Sequence, residues 1–279
     1  APSAVQRSAR ADDPRHHHRA RLPRGTGGKE EVAATRRRAA VRSACADCAP
    51  QMSSTHTRAV TISIDAEQRV SALLEVPAEP HACYVFAHGA GAGMTHPFMA
   101  AMADGLADRG IATLRYQFPS MERGSKRPDS PKVAHAAVRA AVDEAARLLP
   151  GVALVAGGKS FGGRMTSQAQ AEAPLTGVRG LAFLGFPLHP PGRPSRERAL
   201  HLEAVHVPML FLQGTRDELA DIELLRPTVE NLGARATLLL FDGADHSFHV
   251  PARSGRTDAQ VRAGMLDALA TWIEPLAEL

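Results

Sequence analysis

From Ala59 onward the chain switches repeatedly between two hydrophobic rhythms. Val60-Thr61-Ile62-Ser63-Ile64 alternates at period two, and Val70 to Val76 follows after a polar stretch, predicting an antiparallel pair that turns at Asp65–Gln68. Pro77-Ala78-Glu79-Pro80 breaks the pattern. Ala82 to Ala87 is a short apolar run of the kind that forms a buried strand. Pro97 to Arg109 then carries Met99, Met102 and Leu106 at helical spacing and is stopped by Gly110. The alternation continues: strand Ile111 to Phe118, helix Val133 to Leu149, strand Val152 to Ala156, a helix opening at Phe161, and strand Val178 to Phe186. Strand Val207 to Leu212, helix Glu218 to Leu232, strand Ala236 to Phe241 and helix Asp258 to Leu276 complete it. Pro119 to Pro131 has no apolar period and reads as a loop.

Strands alternating with helices require right-handed crossovers, so the expected fold is α/β with a mostly parallel, doubly wound sheet. In such sheets site residues belong to loops at the carboxyl ends of strands. Hydrophobic residues make up 44% of the chain, enough for a sizeable core, but aromatics only 4%, so that core is expected to be mostly Ala, Val and Leu.

The formal charge of +4 is unevenly spread. Residues 1–51 hold eleven Lys/Arg against five Asp/Glu, leaving the remainder slightly acidic at −2. The globular part, residues 52–279, therefore has no electrostatic reason to bind nucleic acid. Residues 1–51 are rich in Ala, Arg, Gly and Ser, include His16-His17-His18, and have almost no large apolar residues, so they are expected to be a disordered basic extension. The first methionine is Met52, and globular patterning starts just after it, which leads to the expectation that the native start lies there. A basic arm touching RNA or anionic lipid is the functional alternative for this segment. Cys45-Ala46-Asp47-Cys48 is a lone C-x-x-C without a second pair, and with Cys83 it makes no disulfide framework. With no apolar run of membrane-spanning length and no convincing signal segment, a cytoplasmic protein with no membrane contact is expected.

Candidate chemistry sits where the strands end. Gly158-Lys159-Ser160-Phe161-Gly162 fits G-x-S-x-G between a strand and a helix, where a sharp turn exposes a serine hydroxyl at the top of the sheet. Asp217 follows a later strand and His246 the last. A histidine can take the serine proton during attack and return it to the leaving group, while a carboxylate fixes the imidazole tautomer. His88-Gly89-Ala90-Gly91-Ala92-Gly93 follows the strand expected to flank the nucleophile strand. Its small residues would let the N–H of Ala90 or Gly91 join that of Phe161 as an oxyanion hole. Competing readings remain: Ser160 as a turn residue, Asp217 as the N-cap of a helix starting at Glu218, Glu218 or Asp221 as rival acids, and Asp245 or His249 in place of His246. His88 and His189 read as packing or turn residues rather than bases. No metal-ligand spacing is present, so no metal or cofactor is expected.

These motifs, together with Leu184-Gly185-Phe186-Pro187-Leu188-His189-Pro190-Pro191-Gly192 and Gln213-Gly214-Thr215-Arg216-Asp217, resemble a branch of the α/β-hydrolase superfamily. It is the small dienelactone-hydrolase-like group, which also resembles testis-expressed protein 30 and the hydrolase-like domain of a histone-acetyltransferase complex subunit. The resemblance spans about residues 59–276. It implies an α/β-hydrolase fold with Ser160 as nucleophile, Asp217 as acid and His246 as base. The implied reaction is hydrolysis of an ester, thioester or related acyl bond in a small-molecule substrate. The alternative is a catalytically idle fold used for binding. The nucleophile is serine, not the cysteine of dienelactone hydrolase proper, which argues against dienelactone as substrate. Only about twenty residues, rich in proline, separate Phe186 from Val207, so a stiff loop rather than a lid is expected. The pocket should then be walled by Pro119–Pro131 and Pro187–Pro194, with His88, Gly89, Met121 and His189 as candidate lining residues. Lys126, Arg127, Arg193, Arg196 and Arg198 in those loops suggest small or anionic acyl groups, or are simply solvated. Oligomeric state is not legible.

Overall fold

The computed structural model describes residues 55–125 and 127–278. The expectations for residues 1–51, Met52 and Lys126 lie outside the described residues. The first strand, β1 (His56–Ser63), pairs antiparallel with β2 (Arg69–Val76), Ile62 opposite Val70. The Asp65 carboxylate closes their turn by accepting from the amides of Glu67 and Gln68 at 2.9 and 2.8 Å. The remaining strands are β3 (Ala82–Ala87), β4 (Ile111–Tyr116), β5 (Ala153–Lys159), β6 (Val178–Leu184), β7 (Met209–Gly214) and β8 (Ala236–Phe241). Among the described residues they form one eight-stranded sheet in the order β1-β2-β4-β3-β5-β6-β7-β8, with β2 antiparallel to both neighbours and all other pairs parallel.

The helices are α1 (Pro97–Ala107), α2 (Pro119–Glu122), α3 (Pro131–Leu148), α4 (Phe161–Glu172), α5 (Ile222–Glu230) and α6 (Asp258–Ala277). From β3 the chain crosses through α1 to β4 on one side, then returns through α3 to β5 on the other. The strand order thus reverses between β3 and β5, where such sheets open a crevice at their carboxyl edge.

Strand pleating sends successive side chains to opposite faces. Cys83 and Val85 join a core with Val138 of α3, Met165 of α4 and Leu225 of α5. Tyr84 and Phe86 join the opposite core with Met102 and Leu106 of α1 and Leu269 and Ile273 of α6. The core is mostly Ala, Val and Leu, as expected, but its bulkiest members are aromatic. Tyr84, Tyr116, Phe86, Phe118, Phe183, Phe186 and Phe211 are the largest fully buried side chains, so the few aromatics are concentrated inside. Each such ring contributes roughly 1.5–3 kcal/mol by leaving water.

Three local expectations change. The 119–131 segment opens with helix α2, drawn onto β2 because the Glu122 carboxylate accepts from the Ser71 amide and hydroxyl at 2.9 and 2.8 Å. The β6–β7 connection carries 3₁₀ turns over Glu197–Ala204. Helix α5 starts at Ile222 rather than Glu218, because Asp221 is its N-cap, accepting from the Glu223 amide at 2.9 Å. Asp221 is therefore not a rival acid within a helix but a cap at its start. No helix among the described residues is long and apolar enough to cross a membrane.

Candidate active site

Ser160 sits between β5 and α4 at φ +50°, ψ −115°, a left-handed conformation that costs a non-glycine residue roughly 1–3 kcal/mol. The turn is possible because α4 closes tightly on the end of β3. A Cβ on Gly162 would stand 2.6 Å from the carbonyl oxygens of both Ala87 and His88. Being the first residue of α4, Phe161 has an amide with no carbonyl partner within the helix. Of the two candidates for a second oxyanion donor, Ala90 lies on the wall of the cavity beside Ser160, and Gly91 does not.

Asp217 and His246 arrive from the ends of β7 and β8. His246 Nε2 lies 2.8 Å from Ser160 Oγ, and His246 Nδ1 lies 2.7 Å from Asp217 Oδ2. The carboxylate can only accept, so Nδ1 carries the proton and Nε2 is left to accept from the serine hydroxyl. Asp217 is buried, and its carboxylate is fully engaged: Oδ1 accepts from the Leu219 amide at 2.8 Å and Oδ2 also from Gln213 Nε2 at 2.5 Å. Asp217 is therefore not the N-cap of a helix starting at Glu218: it closes a turn through the Leu219 amide and reaches His246 as well. Asp245 and His249 do not stand in for His246. The Asp245 carboxylate accepts from the amides of Ser247 and His249, and His249 pairs with Asp258 at 2.9 Å.

Three of the pocket candidates are corrected. His88 is buried beneath the site; its Nε2 accepts from the Phe118 amide at 3.0 Å, so Nδ1 donates to the Gly89 carbonyl at 2.7 Å. Burial lowers its pKa, and a ring already holding both bonds is a neutral strut. His189 does the same elsewhere, Nε2 accepting from the Asp221 amide at 2.9 Å and Nδ1 donating to the Pro190 carbonyl at 2.9 Å. Met121 is carried off by α2 and does not line the cavity. Gly89 does line it.

The cavity beside Ser160 has a volume of about 350 Å³ and is walled by Ala90, Ala92, Phe98, Met99 and Leu219, with His96 at its edge. Neither proline-rich loop forms its wall, and Arg127, Arg193, Arg196 and Arg198 do not line it. Lys159 does, but its ammonium donates to the His246 carbonyl at 2.6 Å. Gln213 and Lys159 were missed as candidates. Gln213 precedes the Gly-Thr-Arg-Asp turn in sequence, and Lys159 precedes the serine, so adjacency was the available signal.

Solved structures share this fold. Dienelactone hydrolase from Anabaena variabilis is 21% identical, with a TM-score of 0.64 over 79% of this chain and 97% of that one. An α/β serine hydrolase homologue from Coxiella burnetii is 19% identical, with a TM-score of 0.63 over 76% and 97%. A member of the α/β serine hydrolases without a lid, from Xanthomonas campestris, is 20% identical, with a TM-score of 0.62 over 77% and 94%. At these identities the likeness is one of fold. A family model described as an alpha/beta hydrolase domain matches residues 80–274, most of the described chain. The strand order, the crevice between β3 and β5 and this match lead to one conclusion: the chain belongs to the alpha/beta hydrolase family.

Proposed function

We propose that this chain is a serine hydrolase that cleaves ester, thioester or related acyl bonds of small, uncharged substrates. Ser160 Oγ attacks the acyl carbon while His246 Nε2 takes its proton. The developing oxyanion is held by the amides of Phe161 and Ala90. The tetrahedral adduct collapses to an acyl-enzyme as the imidazolium returns that proton to the departing alcohol or thiol. Water then adds by the same route in reverse, releasing the acid and restoring the serine. Asp217 keeps the imidazole in the competent tautomer and stabilises its cation.

The single observation that carries this reading is the continuous relay, 2.8 Å from Oγ to the ring and 2.7 Å from the ring to a buried carboxylate. Substrate size is argued from the cavity: about 350 Å³ lies near the small end of ligand pockets, roughly 300–1,000 Å³. Its wall is apolar, and Lys159 on that wall already has a partner, so a compact apolar group fits better than an anion.

A fluorophosphonate probe tests the chemistry. Wild type should label and Ser160→Ala should not. Failure of wild type to label would leave the fold as a binding module. A p-nitrophenyl ester series tests the substrate: kcat/KM should peak at butyrate to octanoate and fall at laurate and at succinate half-ester.

A further inference from the structure

The loop that brings His246 to Ser160 contains an unusual residue. Phe248 has φ +62°, a left-handed conformation disfavoured for an aromatic side chain, yet it is buried at 3% exposure. Something must hold it. Its ring stacks on Phe98, centroids 6.1 Å apart with planes 9° from parallel, and meets Phe241 edge-on at 5.9 Å. The third contact is Lys159 Nζ, 5.5 Å from the ring centroid. The same ammonium donates to the main-chain carbonyl of His246 at 2.6 Å. One side chain, adjacent to the nucleophile, therefore grips the base-bearing loop at two points two residues apart. The slot it occupies is kept open by Gly185: a Cβ there would stand 3.0 Å from Lys159 Nζ and 3.5 Å from His246 Nδ1.

We propose that Lys159 is a positioning residue that clamps the His246 loop to the serine turn and so sets the distance between imidazole and hydroxyl. The proposal rests on the catalytic reading above, and it concerns what holds the base rather than what the base does. A hydrogen bond to a main-chain carbonyl fixes the backbone of His246 without competing for its ring. The cation over the Phe248 face gives the grip its charge dependence.

That dependence has a sign. Burial lowers the Lys159 pKa to about 8, against the opposing pull of Asp217 and Asp245. Those carboxylates, the His246 ring and His96 on the shared cavity wall are the titratable groups around it. Above about pH 8 the amine is neutral, the ring contact loses its electrostatic attraction and the bond to the carbonyl weakens. Activity should therefore fall on the alkaline side through loss of the clamp.

The test compares full-length wild type, Lys159→Met and Phe248→Leu. The readouts are kcat and KM on a short-chain ester, rates of fluorophosphonate labelling from pH 6 to 10, and melting curves. Methionine keeps the stem and removes the charge and the donor. With melting unchanged, kcat should fall roughly 10- to 100-fold with KM nearly unaltered. The alkaline decline of wild-type labelling, centred near pH 8, should vanish in Lys159→Met and move to lower pH in Phe248→Leu. Should Lys159→Met fail to fold, the wild-type and Phe248→Leu profiles decide alone. A wild-type enzyme that labels at an unchanging rate from pH 7 to 10 overturns the clamp. So does a Lys159→Met protein that matches wild type in rate and profile. Absence of wild-type labelling at every pH instead overturns the catalytic reading itself.

Discussion

Replacing Gly162 with alanine probes the joint on which the serine turn depends. Two effects oppose each other. Alanine inside helix α4 gains roughly 0.5–1 kcal/mol from helix propensity. Against this, the new methyl would sit 2.6 Å from two main-chain oxygens, those of Ala87 and His88, closer than the 3.0 Å that Cβ atoms essentially never breach. Both oxygens belong to backbone at the end of β3, which is paired with β4 and β5 and cannot rotate away. Overpacking of this kind costs about 1–3 kcal/mol or more, so the steric effect wins. For a domain of this size each kcal/mol moves Tm by about 2–4 °C, which predicts a fall of roughly 2–10 °C. Relief requires α4 to move away from β3, which also separates the Phe161 amide from the Ala90 loop, so kcat should drop about tenfold with KM held. The companion variant Gly89→Ala places its methyl 3.6 Å from Lys159 Cγ and 3.8 Å from Ser160 Cβ, ordinary contacts, and should melt within about a degree of wild type. Calorimetry on both proteins settles it. A Gly162→Ala protein melting at or above wild type would refute the steric argument.

Further expectations concern the groups behind the relay. Gln213→Leu deletes the donor 2.5 Å from Asp217 Oδ2 and leaves His246 and the Leu219 amide to hold the carboxylate; kcat should fall roughly tenfold in steady-state assays. Arg115→Met orphans Glu75, its buried partner at 3.0 Å across β2 and β4, costing about 3–5 kcal/mol in denaturant titrations at neutral pH. Burial already raises the Glu75 pKa, and removing the guanidinium that opposes this raises it further. A raised folded-state pKa means stability that is full below the unfolded carboxyl pKa and lost as pH rises through the folded one, so the deficit should shrink in acid. The thiol of buried Cys83 is pushed up to about 12 by desolvation, so peptide mapping after alkylation at pH 8 should find it modified only once the protein is unfolded.

The order of elements and the three residues of the relay were readable because each depends on local pattern: period-two and period-3.6 apolar spacing, and motifs placed directly after strands. The wall of the pocket was not. Its position depends on how each loop leaves its strand, and that is decided by long-range polar contacts with no sequence rhythm. His88 pins Phe118, thirty residues away, and Glu122 pins Ser71, fifty-one residues away, which together turn the 119–131 segment from the crevice toward the sheet edge. Met121 goes with it. His189 was read as a pocket candidate because it follows a strand, yet it is spent on the Asp221 amide. The start of α5 was misplaced for a related reason: Asp217 and Asp221 both have capping geometry, and only the fold reveals that the first is also tied to His246. The buried aromatics were unreadable from composition, which counts residues without locating them.

The β6–β7 connection, with its 3₁₀ turns tied to α4 through Ser167 and His201 at 2.7 Å, has a kinetic consequence. A bridge anchored in this way should not swing over the crevice, so among the described residues we expect no closed form for emulsified substrate to pry open. Hydrolysis should rise smoothly as an ester passes its solubility limit, without the jump that oil–water interfaces provoke in capped lipases.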